Sequence, residues 1–199
     1  MTKVSPIVEG DGEVRALPVL LRRLALWLSP DQWIDVLNPI KTRRDRFLNR
    51  DEEFRRMLLL AAAKCGDSGW ILILLDADDD CPAQLGAEVL ERAKQVVPHR
   101  RVSVVIANRE YEAWFIAAAL SLDGKRGFCF SGQPIDPEIN RDAKGWIKQR
   151  KRDGRYDEIN DQSAFSQLID LEQARRNSRS FRKLCDEWKR QCLGPSPEE

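Results

Sequence analysis

The chain has 199 residues, 33% of them charged, and a formal net charge of +1 at pH 7. That length suits one domain with a substantial core, and the charge balance leaves any contact with a polyanion to local patches. A single histidine, His99, and five scattered cysteines with no C-x-x-C argue against histidine-based triads and structural zinc, and suit a reducing cytosol.

Lys3 to Val8 is β-prone and ends in V-E-G-D-G-E, so Glu9 closes a strand and Glu13 opens a helix. Leu17, Leu20, Leu21, Leu24 and Leu28 then share one helical face, and Pro18 is expected in that helix's first turn. The glycine-rich turn lacks the patterns of nucleotide-binding loops. Trp33 to Ile40 is expected to be a second strand. The basic stretch Lys41, Arg43, Arg44, Arg46 is either a solvated loop or a phosphate contact. Asn49 to Lys64 has the periodicity of a helix, with Phe54, Met57, Leu58, Ala61 and Ala62 inward.

Trp70 to Asp80 reads W-I-L-I-L-L-D-A-D-D-D. Its apolar run is too short for a membrane span and suits a strand buried on both faces. Asp76, Asp78, Asp79 and Asp80 follow at once, and such like charges repel unless water, a lysine or a metal offsets them. The alternative is a solvated acidic turn capping the helix predicted over 82–97. Val102 to Ala107 is a further buried strand, followed by Asn108-Arg109-Glu110-Tyr111-Glu112 and an apolar helix over 113–122. Carboxylates thus stand at the ends of three strands: Glu9, Asp76 with Asp78, and Glu110 with Glu112. In a parallel sheet these ends lie at one edge, where open α/β sheets place their sites. Any one alone reads as a helix cap; together they point to a carboxylate cluster for a hard cation.

Beyond Gly124, Phe128 to Phe130 is expected as a short edge strand and Asp142 to Arg152 as a basic helix. Further helices are expected over 164–173 and 180–192, the latter with Phe181, Leu184, Cys185 and Trp188 in register. Between them A-R-R-N-S-R-S is either a loop capped by Ser178 or Ser180, or a phosphate clamp using Arg176 and Arg179. The final G-P-S-P-E-E reads as a frayed tail. No apolar run is long enough to span a membrane, and the first ten residues lack a signal-peptide core, so a cytoplasmic location is expected.

A glutamate closing the first strand and a D-x-D closing a later one resemble the TOPRIM domain of topoisomerases, primases and related nucleases. Glu9, Asp76 and Asp78 are the matching residues. Glu9 and Glu13 also form E-x-x-x-E, and Asn108-Arg109-Glu110 stands where the overcoming-lysogenization-defect nucleases carry S-x-E. The likeness is greatest to a domain-of-unknown-function family of small bacterial TOPRIM-like proteins. That family shows V-E-G-x-x-E, an acidic D-x-D-D-C-P-like segment, R-E-x-E-A-W and S-R-S-F, here Val8–Glu13, Asp76–Pro82, Arg109–Trp114 and Ser178–Phe181.

The resemblance implies an α/β, TOPRIM-like fold: a mostly parallel four-stranded sheet flanked by helices over 1–123, with a basic, mainly helical extension over 124–199 packed on it. It implies a Mg²⁺- or Mn²⁺-dependent phosphodiesterase on DNA or RNA with one or two ions. Glu9, Glu13, Asp76, Asp78, Asp80 and Glu110 would supply metal ligands, Glu9 also acting in catalysis with Lys144 or Lys148 as the late cation. Lys41, Arg43, Arg44, Arg109, Lys148, Arg176 and Arg179 are the expected nucleic-acid contacts. A separately encoded ATPase in an anti-phage or DNA-maintenance system is the implied partner, since the chain has no P-loop; a homodimer through the C-terminal helices is also expected. The rival readings are a non-catalytic nucleic-acid-binding adaptor and a phosphohydrolase or phosphotransferase acting on small phosphate esters. Topoisomerase and primase activities are disfavoured by the short chain, its two tyrosines and the lack of a zinc module.

Overall fold

The computed structural model describes residues 1–133, 135–139 and 141–193. The chain folds as an α/β sandwich around a parallel sheet of five strands: β1 (Thr2–Val8), β2 (Ile34–Val36), β3 (Ile40–Lys41), β4 (Trp70–Asp76) and β5 (Arg101–Ala107). The order is β2-β1-β4-β5, with β3 also pairing with β1, and every pairing is parallel. The expected single strand over 33–40 is therefore two short ones. Pro39 has no N–H to give to a ladder, and pairing with β1 resumes at Ile40, opposite Ile7, continuing to Thr42 N, which donates to Val8 O at 2.8 Å.

The alternation of a strand decides which helices cover which face. Val4, Val8, Trp70, Leu72, Leu74, Val105 and Ala107 point to one layer, and Ile7, Ile71, Ile73, Leu75, Val104 and Ile106 to the other. The second layer is closed by α2 (Arg44–Asn49), α3 (Asp51–Cys65) and α4 (Pro82–Val96). The helix expected over 49–64 is α3, which starts two residues later; the extended backbone of Arg50 parts it from α2, a short helix not expected before it. Much of the basic stretch lies in regular structure rather than a loop, with Lys41 in β3 and Arg44 and Arg46 in α2.

The first layer is covered by α1 (Asp11–Leu28), α5 (Ala113–Ala117), α6 (Ala119–Leu122), α7 (Ala143–Arg150), α8 (Asn160–Leu168), α9 (Leu171–Asn177) and α10 (Arg179–Leu193). Helix α1 begins at Asp11, so Pro18 lies in its interior and not in its first turn. A mid-helix proline costs about 3 kcal/mol. Burial of Leu17, Leu20, Leu21 and Leu24, all fully shielded, contributes about 2 kcal/mol each and outweighs it. The expected helix over 113–122 breaks at Ala118, and the one over 164–173 breaks at Ile169, after which the Asp170 side chain caps α9. Phe128 forms an isolated antiparallel bridge to Lys151 and not an edge strand. The 174–180 segment is the end of α9 and the start of α10, with Ser178 Oγ accepting from Phe181 N.

The residues after Gly124 share the apolar layer of α1: Phe128, Trp146, Phe165, Phe181 and Trp188 join the leucines there. Arg23 of α1 fastens the end of α8 to it by donating to the carbonyls of Ser166 and Ile169 at 2.8 and 2.7 Å. Among the described residues no helix is long and apolar enough to cross a membrane. The G-P-S-P-E-E tail lies outside the described residues.

Candidate active site

Because the sheet is parallel, the C-terminal ends of β1, β4 and β5 open at one edge, and the turns there are tied to one another. Glu9 Oε1 accepts from Asp76 N at 2.8 Å, and Asp76 Oδ1 accepts from Tyr111 N at 2.8 Å. Asp78 N donates to Arg109 O at 3.0 Å. Asp78 and Arg109 both have positive φ, 50° and 65°, a conformation uncommon outside glycine.

A second line of groups lies beneath. Glu13 and Glu112 are buried, and Gln162 of α8 joins them: its Nε2 donates to Glu13 Oε1 at 2.9 Å and to Glu112 Oε1 at 3.3 Å. Tyr156 OH also donates to Glu112 Oε1, at 3.0 Å. This explains the glycines of V-E-G-D-G-E. A Cβ on Gly10 would lie 2.1 Å from Glu13 Oε2, and one on Gly12 would lie 1.9 Å from Gln162 Oε1. Both side chains rest on bare backbone, so only glycine leaves them room.

Each of these carboxylates has one oxygen engaged in positioning it. Glu13 Oε2 and Glu112 Oε2 are buried without a hydrogen-bond partner, which is costly for a polar atom. Burial raises Asp76 well above the usual carboxylate range, and the charges of Glu9 and Glu112 push the same way. Glu9 is raised by burial, against the Asp76 N–H. Burial pushes Glu112 up to about 7 despite the opposing charge of Lys144. Burial would lower Lys144, but Glu112, Glu158, Glu110 and Asp76 outweigh it and hold its ammonium above the usual value.

The structure separates the two lysine candidates. Lys144 is half-buried among these carboxylates, with Nζ 3.4 Å from Glu158 Oε1, whereas Lys148 is exposed and outside the cluster. Glu110 serves the placement of Lys144: its Oε2 accepts from Lys144 N at 3.3 Å, at the start of α7.

The acidic turn itself is held by arginines. Arg44 donates to Asp76 O at 3.1 Å, pairs with Asp80 and stands 3.5 Å from Asp78 Oδ2. Arg109 donates to Asp78 O at 3.0 Å and pairs with Asp79 at 2.7 Å. Asp78 and Asp80 are exposed on this turn, and the charge of Asp78 acts on Glu9. Lys41 pairs with Asp11 at 2.6 Å, and Arg43, Arg176 and Arg179 are exposed. Among the described residues no three Asp, Glu, His or Cys side chains are gathered closely enough to hold a metal as they stand.

Glu112, Gln162 and Tyr156 are the site residues that motif reading did not select. Glu112 was visible as an acidic residue after a strand; nothing local marks Gln162 or Tyr156, which arrive from α8 and the segment before it. The S-R-S-F motif also belongs to this edge. Ser180 Oγ accepts from Trp114 Nε1 at 2.9 Å and from Asn108 N at 3.2 Å, binding α10 to the end of β5.

A model of the protein family described as Domain of unknown function (DUF4276) matches residues 8–188, so the chain belongs to that family. No curated protein and no solved structure matches the chain.

Proposed function

We propose that this member of a family of unknown function is a metal-dependent phosphodiesterase, a nuclease of TOPRIM type acting on DNA or RNA. The observation that carries the reading is the set of four carboxylates, Glu9, Glu13, Asp76 and Glu112, converging at one sheet edge, two of them with a buried oxygen lacking a partner. Hard oxygen donors whose charged forms are mutually disfavoured suit a hard divalent cation, Mg²⁺ or Mn²⁺. Glu9, Glu13, Asp76 and Glu112 would hold it, Asp78 lying within reach on the adjoining turn. When bound, the ion would supply Lewis-acid stabilisation of a phosphoryl oxygen and activation of a water.

The remaining work falls to the chain's own groups. Lys144 Nζ, kept protonated by the surrounding carboxylates, offsets charge gathering on the phosphoryl group. Glu110 orients Lys144 through its backbone. Arg44 and Arg109 hold the acidic turn so that Asp78, Asp79 and Asp80 do not repel the nucleic-acid backbone. Lys41, Arg43, Arg176 and Arg179 are the outer phosphate contacts. The order of a glutamate after β1 and D-x-D after β4 supports kinship with the overcoming-lysogenization-defect nucleases. On that kinship a separately encoded ATPase is the proposed partner, in the cytoplasm, in phage defence or DNA maintenance.

A second reading, a non-catalytic nucleic-acid-binding adaptor, is favoured by the arginine partners already in place on Asp78, Asp79 and Asp80. Calorimetric titration with Mn²⁺ and Mg²⁺, on the parent and on Asp76→Asn, separates the two when followed by cleavage assays with and without chelator. Metal binding lost in the variant, with metal-dependent cleavage by the parent, supports the nuclease. Nucleic-acid binding indifferent to chelator and no metal uptake by the parent would establish the adaptor.

A further inference from the structure

Among the described residues the sheet ends at β5, which pairs with β4 alone. Ala107 O and Arg109 O accept from Ala77 N and Asp78 N, so the odd-numbered residues of this stretch turn their backbone groups toward β4. The even-numbered ones face outward. At the two ends those outward groups are met by side chains: Arg190 reaches Val102 O at 3.5 Å, and Asn108 N donates to Ser180 Oγ at 3.2 Å. Between these caps, the N–H and C=O groups of Val104 and Ile106 have no partner among the described residues, although both residues are 6% exposed or less. Buried backbone groups left unpaired are costly.

They line the floor of a groove of about 640 Å³ between two helices. On one wall α4 presents Gly86, Ala87 and Leu90, which are small or apolar. On the other α10 presents Arg179, Lys183 and Glu187. Glu187 is already neutralised by Lys183 at 2.7 Å, by Arg190 and by the Ser103 hydroxyl at 2.6 Å. Arg179 is 88% exposed, and among the described residues its ion-pair partner is Glu138, at 4.0 Å. With Arg190, three cations here stand against two carboxylates, Glu187 and Glu138, which leaves this side of the groove net positive with Arg179 as its most exposed charge.

We propose that this groove binds an extended polypeptide segment of a partner protein, which adds a short strand to the β5 edge. Two donors and two acceptors on alternate residues, about 7 Å apart along the strand, are the complement of an extended peptide backbone. The walls set its side chains: apolar residues face α4, and alternate acidic residues face Arg179 and Lys183. The Arg190 and Ser180 caps limit pairing to about three residues, so the ligand is a short linear motif and not a whole sheet. The proposal is independent of the metal chemistry at the other strand ends.

The test is selection of a displayed random hexapeptide pool on the full-length protein, with Ala87→Trp as the groove-filled counterpart. Ala87 is exposed on α4, so this variant keeps the parent's Tm, which is checked by thermal melting. Enrichment of peptides alternating apolar and acidic residues is expected. Their synthetic forms bind at least 10-fold more weakly to Ala87→Trp and after N-methylation of the pairing amides, and lose their acidic preference on Arg179→Glu. They also slow exchange of the Val104 and Ile106 amides. No enrichment over the filled variant, or equal binding of the N-methylated peptides, overturns the proposal. So does a concentration-dependent dimer of the protein alone that protects those same two amides, which would make the occupant a second copy.

Discussion

Glu9 and Asp76, 67 residues apart in sequence, are joined by a 2.8 Å hydrogen bond from the backbone N–H of Asp76 to Glu9 Oε1. The bond ties the end of β1 to the end of β4 and fixes the direction of the Glu9 carboxylate, as the Tyr111 N–H does for that of Asp76. Replacement with glutamine keeps an acceptor for that N–H; replacement with alanine removes it. Glu9→Gln is expected to melt at or above the parent's Tm, because burial disfavours the charge it removes. Glu9→Ala should lose about 1–3 kcal/mol, the cost of an unpaired buried donor. Both should bind Mn²⁺ at least about 10-fold more weakly, measured by calorimetry beside thermal melts.

Gly12→Ala is expected to be severe for a one-methyl change. The new Cβ would stand 1.9 Å from Gln162 Oε1 and 2.8 Å from the Glu158 carbonyl, which is backbone and cannot swing away. Overpacking of this kind costs about 1–3 kcal/mol. It should also displace Gln162 from Glu13 and Glu112. A crystal structure of the variant together with its denaturant midpoint checks both; an unchanged Gln162 with parental stability would sink the account of the glycine pair.

Stability should fall between about pH 5 and 7. The Glu112 carboxyl is pushed from 4.5 up to about 7 by burial, so the folded protein holds a proton there that the unfolded chain has lost. The contribution is fully present below 4.5 and is lost as pH rises through about 7. Its size is of the order of 3 kcal/mol. Asp76, raised in the same direction, adds to the fall. Denaturant titrations across this range should show the decline, Glu112→Gln should flatten it, and saturating Mn²⁺ should offset it at the alkaline end. A parent whose stability rises steadily over the same interval would contradict the assignment.

The two candidate lysines should separate cleanly. Lys144→Met removes the cation that faces Glu112, Glu110 and Asp76 and is expected to lower cleavage about 100-fold. Lys148→Met, at an exposed site, should leave cleavage unchanged and weaken nucleic-acid binding slightly, with a smaller salt dependence. Rates measured at saturating substrate, together with binding isotherms at several salt concentrations, distinguish the two effects.

Local pattern was enough to read the sheet. The run Ile71 to Leu75 could only be buried on both faces, and Glu9, Asp76 and Glu110 at the ends of their strands were visible because parallel strands leave their C-terminal ends together. The leucine period of α1 and the register of Phe181, Leu184 and Trp188 in α10 came from the same kind of regularity. Where one residue interrupts a regular run, at Pro39, Ala118 and Ile169, the elements divide, because a missing donor or a single residue with non-helical backbone outweighs a continuous apolar pattern.

What the tertiary structure alone decided is the inner half of the site. Gln162 lies 149 residues from Glu13, on a helix whose periodicity reports only that it packs. Its amide can bridge two carboxylates only because α8 lies against α1. The same packing chose Lys144 over Lys148: the two lie about one helical turn apart along α7, and only the one at its start stands among the carboxylates. It also left Asp78 and Asp80 to Arg44 on the surface. Strand ends follow from chain direction, a one-dimensional property; the partners of a buried carboxylate follow from which helix faces meet, and that is settled only when the core closes.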